Sequence, residues 1–445
     1  MRRGLATRAE DICTHQAAAG RPDWLTSLPE GWTATRLGDA AEATRSTTDP
    51  RDSPDEVFDY FSIPAFQSSG QPVSESGRAI RSQKLIVHNG MVLFGKLNPR
   101  VPKVWLVASV STERKIASTE FIPLRPLPGV VTSEFLYFLC QTNYVLHAAE
   151  QLVSGSTPSR QRVDTQGLLE TLVPVPSVQE QRAIAHVLST VQRAREAAEA
   201  VVAAARELKR SLMRHLFTYG PVPPAEAERV ALKETEIGPV PEHWAVSRLG
   251  TVAKIERGRF AHRPRNDPAY YGGTVPFIQT GDVTASGGRI ARYTQTLNSM
   301  GLSVSRVFPK RTVVITIAAN IGYTGILEFD SAFPDSLIGI TPYDGILNEF
   351  LNYYLMTQQA EMDRLAPRGT QKNINIRFLA PWPTPVPPLG EQERVRDILA
   401  AVDHKIEAEE KQRAALDALF RSLLQQLMTG RLRVTLATRP PTWWG

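Results

Sequence analysis

Two long stretches of the chain carry apolar or small residues alternately three and four positions apart, the spacing of a coiled-coil helix. The first runs from residue 178 to 217 without glycine or proline, and the second from 391 to 429, before the helix-stop residue Gly430. The predicted seam of the first helix is Ile184, Val187, Val191, Ala194, Ala198, Val201, Ala205, Leu208 and Leu212. The predicted seam of the second is Val395, Ile398, Val402, Leu416, Leu419 and Leu423. Each helix should be about 60 Å long.

A region of mixed strands and short helices precedes each long helix. In the first region, β-rich runs at 84–87 and 91–94 lie on either side of a turn at Asn89-Gly90. In the second region, the runs at 275–278 and 311–317 predict strands of the same kind. Short helices are predicted at 133–139 and 348–355. A proline-rich exit then separates each body from its long helix.

The two halves repeat one another. The segment Pro29-Glu30-Gly31-Trp32 returns as Pro241-Glu242-His243-Trp244, at an offset of 212 residues. The segment that begins at Val175-Pro176 returns at Val386-Pro387, at an offset of 211 residues. Two distant markers with nearly one offset indicate duplication of the whole unit. Duplication favours a pseudo-twofold arrangement, in which the two helices pair antiparallel and each body lies at one end.

These patterns predict an α+β fold with two mixed α/β bodies. Two long α-helices join the bodies and form an intramolecular antiparallel coiled coil with pseudo-twofold symmetry. The predicted division is an N-terminal extension (1–27), the first body (28–176), the first helix (177–218), a linker (219–239), the second body (240–387), the second helix (388–430) and a C-terminal tail (431–445).

Composition narrows the function classes. The formal net charge is +6, which permits nucleic-acid binding without requiring it. The second body carries the excess, with 15 Lys and Arg against 11 Asp and Glu, whereas the first has 14 against 15. The two cysteines exclude a disulfide framework, and we expect a cytoplasmic protein with no membrane span and no secretory leader. The chain has no phosphate-binding loop motif, no paired histidines for a metal and no complete methyltransferase motif. We therefore expect no catalytic residue, metal or bound cofactor.

Each body contains a glycine-polar loop suited to contact with a phosphate, because small residues and main-chain amides can approach closely. One loop covers 154–160 and has Pro158 where the second, covering 368–373, has Gln371. Other candidates are basic residues and a Gln-Thr pair after a buried strand. The DNA-binding candidates are Lys96, Arg100, Ser156, Thr157, Arg160, Gln279, Thr280, Lys310, Arg311, Gly369, Thr370, Gln371, Lys372 and Asn373. Wider basic patches include Arg257, Arg259, Arg263 and Arg265 in the second body.

In combination, these segments resemble the specificity subunit of type I restriction-modification systems. The resemblance rests on the duplicated Trp segments, the loop at 369–373, the segment 386–394 and the helix ending at Leu427-Met428-Thr429-Gly430. It implies that each body is a target recognition domain for one half of a split DNA site. It also implies that the helices set the spacing and dock two modification subunits, which bind S-adenosylmethionine. Restriction subunits, with nuclease and translocase activity, would be further partners.

Two other functions fit the residues less well. One is a pseudo-symmetric scaffold whose bodies bind protein instead of DNA. The other is a methyltransferase with fused recognition domains, which the missing cofactor and catalytic motifs disfavour. DNA binding that depends on a split site would distinguish the first of these from a specificity subunit, and binding of S-adenosylmethionine by the chain alone would support the second.

Overall fold

The computed structural model describes residues 27–154, 161–367 and 372–434. The chain divides into two compact units. Unit 1 comprises Met1–Ala198 and Gln412–Gly445, and unit 2 comprises Glu199–Lys411. Each unit therefore contains one predicted body and a segment of each long helix. Residues 1–26 of the predicted extension and 435–445 of the predicted tail lie outside the described residues.

Unit 1 contains two main sheets. Its strands are β1 (Thr33–Arg36), β2 (Ala41–Ala43), β3 (Thr47–Thr48), β4 (Val57–Phe61), β5 (Val73–Ser76), β6 (Lys84–Ile86), β7 (Val92–Gly95), β8 (Val104–Leu106), β9 (Arg114–Ala117), β10 (Phe121–Pro126), β11 (Val153–Ser154), β12 (Arg162–Val163) and β13 (Leu172–Val175). Its helices are α1 (Leu37–Ala40), α2 (Ile63–Ser68), α3 (Ser133–Leu139), α4 (Asn143–Gln151) and α5 (Thr165–Glu170), followed by the start of α6 (Val178–Tyr219). The sheets have the strand orders β2-β10-β7-β8 and β3-β6-β9-β4-β5, and β1 pairs with β13.

Unit 2 is built in the same way. Its strands are β14 (Leu232–Lys233), β15 (Val240–Pro241), β16 (Ala245–Arg248), β17 (Ala253–Arg257), β18 (Tyr271–Phe277), β19 (Arg289–Ile290), β20 (Gln295–Leu297), β21 (Val307–Phe308), β22 (Val313–Thr316), β23 (Thr324–Leu327), β24 (Ser331–Ala332), β25 (Leu337–Pro342) and β26 (Pro383–Val386). Its helices are α7 (Leu249–Val252), α8 (Thr280–Ala285), α9 (Ser299–Ser303), α10 (Asn348–Thr357), α11 (Gln359–Leu365) and α12 (Ile376–Leu379), followed by the start of α13 (Leu389–Met428). The sheets have the orders β17-β25-β22-β23-β19 and β20-β18-β24-β21, and β16 pairs with β26.

The two bodies share their strand topology. The order β2-β10-β7-β8 corresponds to β17-β25-β22-β23, and all of these pairs are antiparallel. The order β6-β9-β4-β5 corresponds to β21-β24-β18-β20, and each contains one parallel pair at the same place. The duplication seen at the borders of the bodies thus extends through their interiors, where the residues have diverged.

We call β2-β10-β7-β8 in unit 1 and β17-β25-β22-β23-β19 in unit 2 the inner sheets, and β7 and β22 their central strands. Each central strand is buried on both faces. Val92 and Phe94 of β7 pack with α3, whereas Leu93 between them belongs to a second cluster that contains Trp105. Alternate side chains of a strand point to opposite faces, so a strand covered on both sides needs an unbroken apolar run. The predicted runs at 84–87 and 91–94 are both strands, but β6 and β7 lie in different sheets and do not form one hairpin.

A tryptophan and a glutamate anchor each body to its long helix. In unit 1 the Trp32 indole Nε1 donates to Glu180 Oε2 at 3.1 Å. In unit 2 the Trp244 indole Nε1 donates to Glu391 Oε2 at 2.8 Å. The repeated Trp segment and the repeated Glu-Gln pair at the helix start are therefore two sides of one contact. This explains why both markers persist in a duplication whose other residues differ.

In unit 1, Gln181, which follows Glu180, forms hydrogen bonds between the body and the start of α6. Gln181 is completely buried. Its Nε2 donates to the main-chain carbonyls of Val130 at 2.7 Å and Pro176 at 3.0 Å. Its Oε1 accepts from the N–H of Thr132 at 2.9 Å. One side chain thus satisfies three main-chain groups where the body meets the start of α6.

Gln392 makes the same three bonds in unit 2 and is also completely buried. Its Nε2 donates to the carbonyls of Gly345 at 2.9 Å and Pro387 at 2.8 Å, and its Oε1 accepts from the N–H of Leu347 at 2.8 Å. The body and helix of each unit are therefore joined by the same set of hydrogen bonds.

The long helices pair antiparallel within unit 1. Arg195 of α6 bonds to Asp417 of α13 at 2.5 Å, and its guanidinium lies 4.8 Å from the ring centre of Phe420. Glu180, earlier on α6, bonds to Arg433, beyond the end of α13, at 2.5 Å. Residue numbers therefore rise along one helix as they fall along the other.

The same direction holds within unit 2. Arg206 forms an ion pair with Glu410, and Lys209 pairs with Asp403 at 2.6 Å. The Tyr353 hydroxyl also donates to Asp403 Oδ2 at 2.7 Å, and burial raises the pKa of that hydroxyl. Two mixed α/β bodies, with antiparallel helix segments in each unit, confirm the predicted fold class.

Five of the fifteen predicted seam residues, Ala194 among them, are exposed, and the residue that follows each of them is more buried. Ala205 is partly buried, as predicted. Ile184, Val187, Val191, Ala198, Leu212, Val395, Val402, Leu416 and Leu423 are buried or partly buried, as predicted. Val201, Leu208, Ile398 and Leu419 are instead 42%, 52%, 37% and 45% exposed. Their neighbours Val202, Lys209, Leu399 and Phe420 face inward. At Ala194 and Leu208 the hydrophobic pattern fails because Arg195 and Lys209 occupy the seam positions, and an apolarity criterion passes over charged residues. At Val201, Ile398 and Leu419 the following residue is also apolar, so apolarity alone does not choose between the two.

Candidate nucleic-acid interface

Equivalent loops leave the carboxyl ends of the central strands β7 and β22. Loop A covers residues 96–103 in unit 1, and loop B covers residues 317–323 in unit 2. Leu97 of loop A forms a β-bridge with Arg162, and Ala318 of loop B forms one with Asn373. Arg162 follows the first predicted glycine-polar loop and Asn373 is the last residue of the second, so loops A and B are bridged to equivalent places in the two units. Lys96 and Arg100, two of the DNA-binding candidates, both lie on loop A in unit 1.

A buried lysine organises loop A. Lys103 is 6% exposed, and its Nζ donates to the carbonyls of Leu97 at 3.1 Å, Asn98 at 3.4 Å and Val101 at 2.7 Å. Burial lowers the pKa of Lys103. Arg100 is exposed at the tip of the loop. The ammonium group of Lys103 therefore stabilises the main chain of loop A, whereas the Arg100 side chain faces the solvent.

Loop B is held by different residues. The Thr316 hydroxyl donates to the carbonyl of Asn320 and accepts from the N–H of Tyr323 at 3.0 Å. Ile321 is buried, and its carbonyl accepts from Gln359 Nε2 at 2.8 Å. Asn320 and Tyr323 are exposed. The loop therefore has a fixed main chain and presents one amide and one phenol.

An arginine cluster lies at the same end of the inner sheet in unit 2. The guanidinium Nε of Arg257 donates to the carbonyl of Asp335 at 2.6 Å, and Arg263 lies 3.3 Å from an Asp335 carboxylate oxygen. Arg265 pairs with the other carboxylate oxygen. Ser336, next in the chain, accepts from the N–H of Ile317 at 3.2 Å, which places the cluster next to loop B. One carboxylate cannot neutralise three guanidinium groups, so this end of the sheet has an excess of positive charge.

The predicted phosphate-binding loops are only partly described. Ser156, Thr157, Arg160, Gly369, Thr370 and Gln371 lie outside the described residues. Lys372 pairs with Asp363 at 2.9 Å, and Asn373 is exposed. The ion pair is at the surface, where such pairs contribute little, so Lys372 can exchange Asp363 for a phosphate. Its role stays a prediction.

Lys310 and Arg311 are separated from this surface. They precede β22, whereas loop B follows it, so about 20 Å of extended chain lies between Arg311 and Ala318. Arg311 pairs with Glu349 at 3.1 Å, and both basic residues line a cavity of about 340 Å³. Lys310 and Arg311 therefore lie apart from the arginines at 257–265, a separation that the sequence argument did not address because it took no account of strand direction.

Gln279 and Thr280 have a structural explanation. Gln279 caps the N-terminus of α8: its side chain accepts from a main-chain N–H of the first turn, and its own N–H donates to Asp282 Oδ2 at 2.8 Å. Gln279 Nε2 also donates to Gln295 at 2.9 Å. The Gln-Thr-Gly-Asp segment is thus a capping box, which leaves less of the Gln279 amide for a base edge.

Loop B contains candidates that the sequence did not reveal. Asn320 and Tyr323 stand within Ala318-Ala319-Asn320-Ile321-Gly322-Tyr323, which reads as a continuation of the apolar strand. The structure adds that Gly322 has a positive φ of 81° and that a Cβ on it would lie 3.2 Å from the main chain of Gln359. An Asn two residues before a glycine that turns the chain was the available signal.

Two segments of the chain, 29–201 and 241–418, match the family described as the type I restriction modification DNA specificity domain. Together they make up more than half of the chain. The chain belongs to this family. Each matched specificity domain contains one complete anchor, Trp32 with Glu180 in the first and Trp244 with Glu391 in the second.

Two relatives match this chain over nearly its full length and over nearly the full length of their own chains. The type I restriction enzyme MjaVIII specificity subunit of Methanocaldococcus jannaschii is 22% identical over 430 residues, which cover 92% of this chain and 94% of that protein. The MjaX protein from the same organism is 24% identical over 422 residues, covering 92% and 95%. The S subunit of a type I restriction-modification system from M. genitalium has the same fold, with a TM-score of 0.58 at 16% identity, covering 90% of this chain and 96% of that chain.

Among the residues that the structure describes, the specificity domains show neither a membrane span nor a metal centre. No helix there is long and apolar enough to cross a bilayer. No group of three or more His, Cys, Asp or Glu side chains there is placed to hold a metal ion. The surface that stands out is the polar and basic end of the two inner sheets.

Proposed function

We propose that this chain is the DNA sequence-specificity subunit of a type I restriction-modification complex and that it performs no catalysis itself. Each body would read one half of a bipartite DNA site, and the two halves would differ in sequence. The observation that carries this proposal is the pair of matched specificity domains, which share one topology but present different side chains at the same end of the inner sheet. A common frame with unlike surfaces suits a split target with unlike halves.

The basic groups at these sheet ends support contact with a phosphate backbone. Phosphate contacts come chiefly from Arg and Lys and position a protein on the duplex without reading its sequence. In unit 2, Arg263 and Arg265 share the Asp335 carboxylate, and Arg257 donates to the main-chain carbonyl of the same residue. In unit 1, Lys96 and Arg100 lie on loop A. The local surface thus supplies positive charge even though the first body as a whole has none in excess.

The exposed apolar residues on the long helices support a partner-docking role. Val201 and Leu208 lie seven residues apart on α6, and Ile398 and Leu419 lie on α13. Apolar side chains exposed at heptad spacing are what a second helical protein can cover. In the proposed complex, two modification subunits would dock on the helices and bind S-adenosylmethionine. Restriction subunits would complete the assembly.

A map of methylated adenines tests the proposal. The chain is expressed with its modification subunit in a host that lacks other adenine methylation, and the modification subunit alone is the control. We expect methylation at one bipartite motif with two unlike halves, and none in the control. Methylation by the modification subunit without this chain, or at a single undivided motif, would contradict the proposal. Methylation by this chain alone would favour the methyltransferase alternative.

A further inference from the structure

Loops A and B occupy the same position in two bodies that share one strand order. Each follows the central strand of the inner sheet, and each is bridged to a residue at or just beyond the end of a predicted glycine-polar loop, Arg162 in unit 1 and Asn373 in unit 2. Each also contains a non-glycine residue with positive φ, Asn98 at 50° and Ala319 at 63°. Loops A and B thus share a main-chain conformation although their sequences differ. We treat them as equivalent loops with different side chains.

Both loops are rigid, but by different means. Three carbonyls of loop A converge on the buried ammonium of Lys103. Loop B is fixed by the Thr316 hydroxyl, by the buried Ile321 and by the close approach of Gly322 to Gln359. A side chain at the tip of a rigid loop loses little further main-chain entropy on binding. These loops are therefore suited to place one polar group accurately.

Each loop presents an exposed side chain that has unused donors or acceptors and can make paired hydrogen bonds to a base edge; in loop B this is Asn320, beside the exposed phenol of Tyr323. Arg100 and Asn320 are exposed, and neither makes a side-chain hydrogen bond to any residue in the described part of the chain. Other basic residues supply the charge for phosphates nearby. Arg forms paired hydrogen bonds with guanine O6 and N7, and Asn does so with adenine N6 and N7. The two tips thus differ in the base that each fits best.

We propose that Arg100 and Asn320 are base-reading residues, Arg100 for a guanine in one half-site and Asn320 for an adenine in the other. This inference rests on the proposed function and adds to it the residues that determine specificity. Loss of one bidentate contact should reduce discrimination at a single base pair by about 5- to 100-fold and leave the other positions unchanged.

The test uses the complex of this chain with its modification subunit. Arg100→Ala and Asn320→Ala are compared with the unaltered complex on a DNA library in which each motif position is varied singly. Arg100→Ala should relax one guanine position in one half-site, and Asn320→Ala one adenine position in the other. Arg100→Gln and Asn320→Asp, which keep a polar side chain but cannot make both hydrogen bonds to the same base, should relax the same two positions. Arg248→Ala, an exposed arginine on β16, the strand that pairs with β26 before α13, is the matched control and should leave every position unchanged.

Other results would overturn the inference in distinct ways. A uniform loss of affinity across all sequences, with a salt slope smaller by about one charge, would make the altered residue a phosphate contact. Relaxation at a different base, at both half-sites or at none would also overturn it. If the unaltered complex methylates no bipartite motif, the proposed function fails. If the unaltered complex methylates a bipartite motif and the variants retain full discrimination, only this inference fails.

Discussion

The two bodies have the same architecture but not the same surface. Four strands of their inner sheets correspond in order and direction, and Gln181 and Gln392 make the same three hydrogen bonds at the junctions with the long helices. At the carboxyl end of the central strand, however, unit 1 has a loop held by Lys103 and unit 2 a loop held by Thr316. The two copies of the unit therefore share the contacts that join body to helix and differ at the carboxyl end of the central strand.

The helix segments differ as well. Arg195 and Asp417 in unit 1 have side chains that are 35% and 29% exposed, whereas Lys209 and Asp403 in unit 2 are 11% and 21% exposed. The unit 2 pair is also bonded to the body, because Tyr353 donates to Asp403. The ion pair between the long helices is therefore accessible to solvent in unit 1 and nearly buried in unit 2.

The largest expected effect comes from the junction glutamines. Gln181→Ala and Gln392→Ala each leave three main-chain groups without their partner and should lower the free energy of unfolding by about 2–4 kcal/mol. The loss should be similar for both variants if the junctions are equivalent. Urea unfolding followed by circular dichroism measures it. The exposed Gln179→Ala and Gln412→Ala are matched controls on the two long helices and should change stability by less than about 0.5 kcal/mol. A large loss for one glutamine and none for the other would break the equivalence.

A smaller and unequal effect is expected at the charged seam positions. Lys209→Met leaves the carboxylate of Asp403 largely buried without its cation and should cost about 2 kcal/mol. Arg195→Met should cost less, about 1 kcal/mol, because solvent screens Asp417. The exposed Arg206→Met, whose partner is Glu410, is the control with an expected change near zero. The same unfolding measurement ranks the three, and an equal cost for Lys209 and Arg195 would show that the difference in burial has no energetic consequence.

The sequence was enough to predict what is repeated. The Trp segments, the Glu-Gln pairs and the proline exits recur at one offset, and the helices α3, α6, α10 and α13 were found within a few residues of their bounds. The antiparallel direction followed from the duplication. These features depend on local pattern or on repetition, both of which one sequence displays.

The remaining features depend on contacts between distant residues. The position of Arg195 and Lys209 in the seam follows from Asp417 and Asp403, more than 190 residues away. The separation of Lys310 from loop B follows from the direction of β22. The position of loop B, which contains Asn320, depends on a bridge between Ala318 and Asn373. An apolarity pattern contains no information about such pairings.

An exchange of one body tests most directly the claim that a common frame holds two separate recognition surfaces. Residues 28–175 are replaced by the corresponding body of another member of the family, with both long helices retained. The altered chain is expressed with its modification subunit, and methylated adenines are mapped. The account predicts that one half of the bipartite motif changes, while the other half and the spacing between them stay the same. A change in both halves, or an unchanged motif, would contradict it.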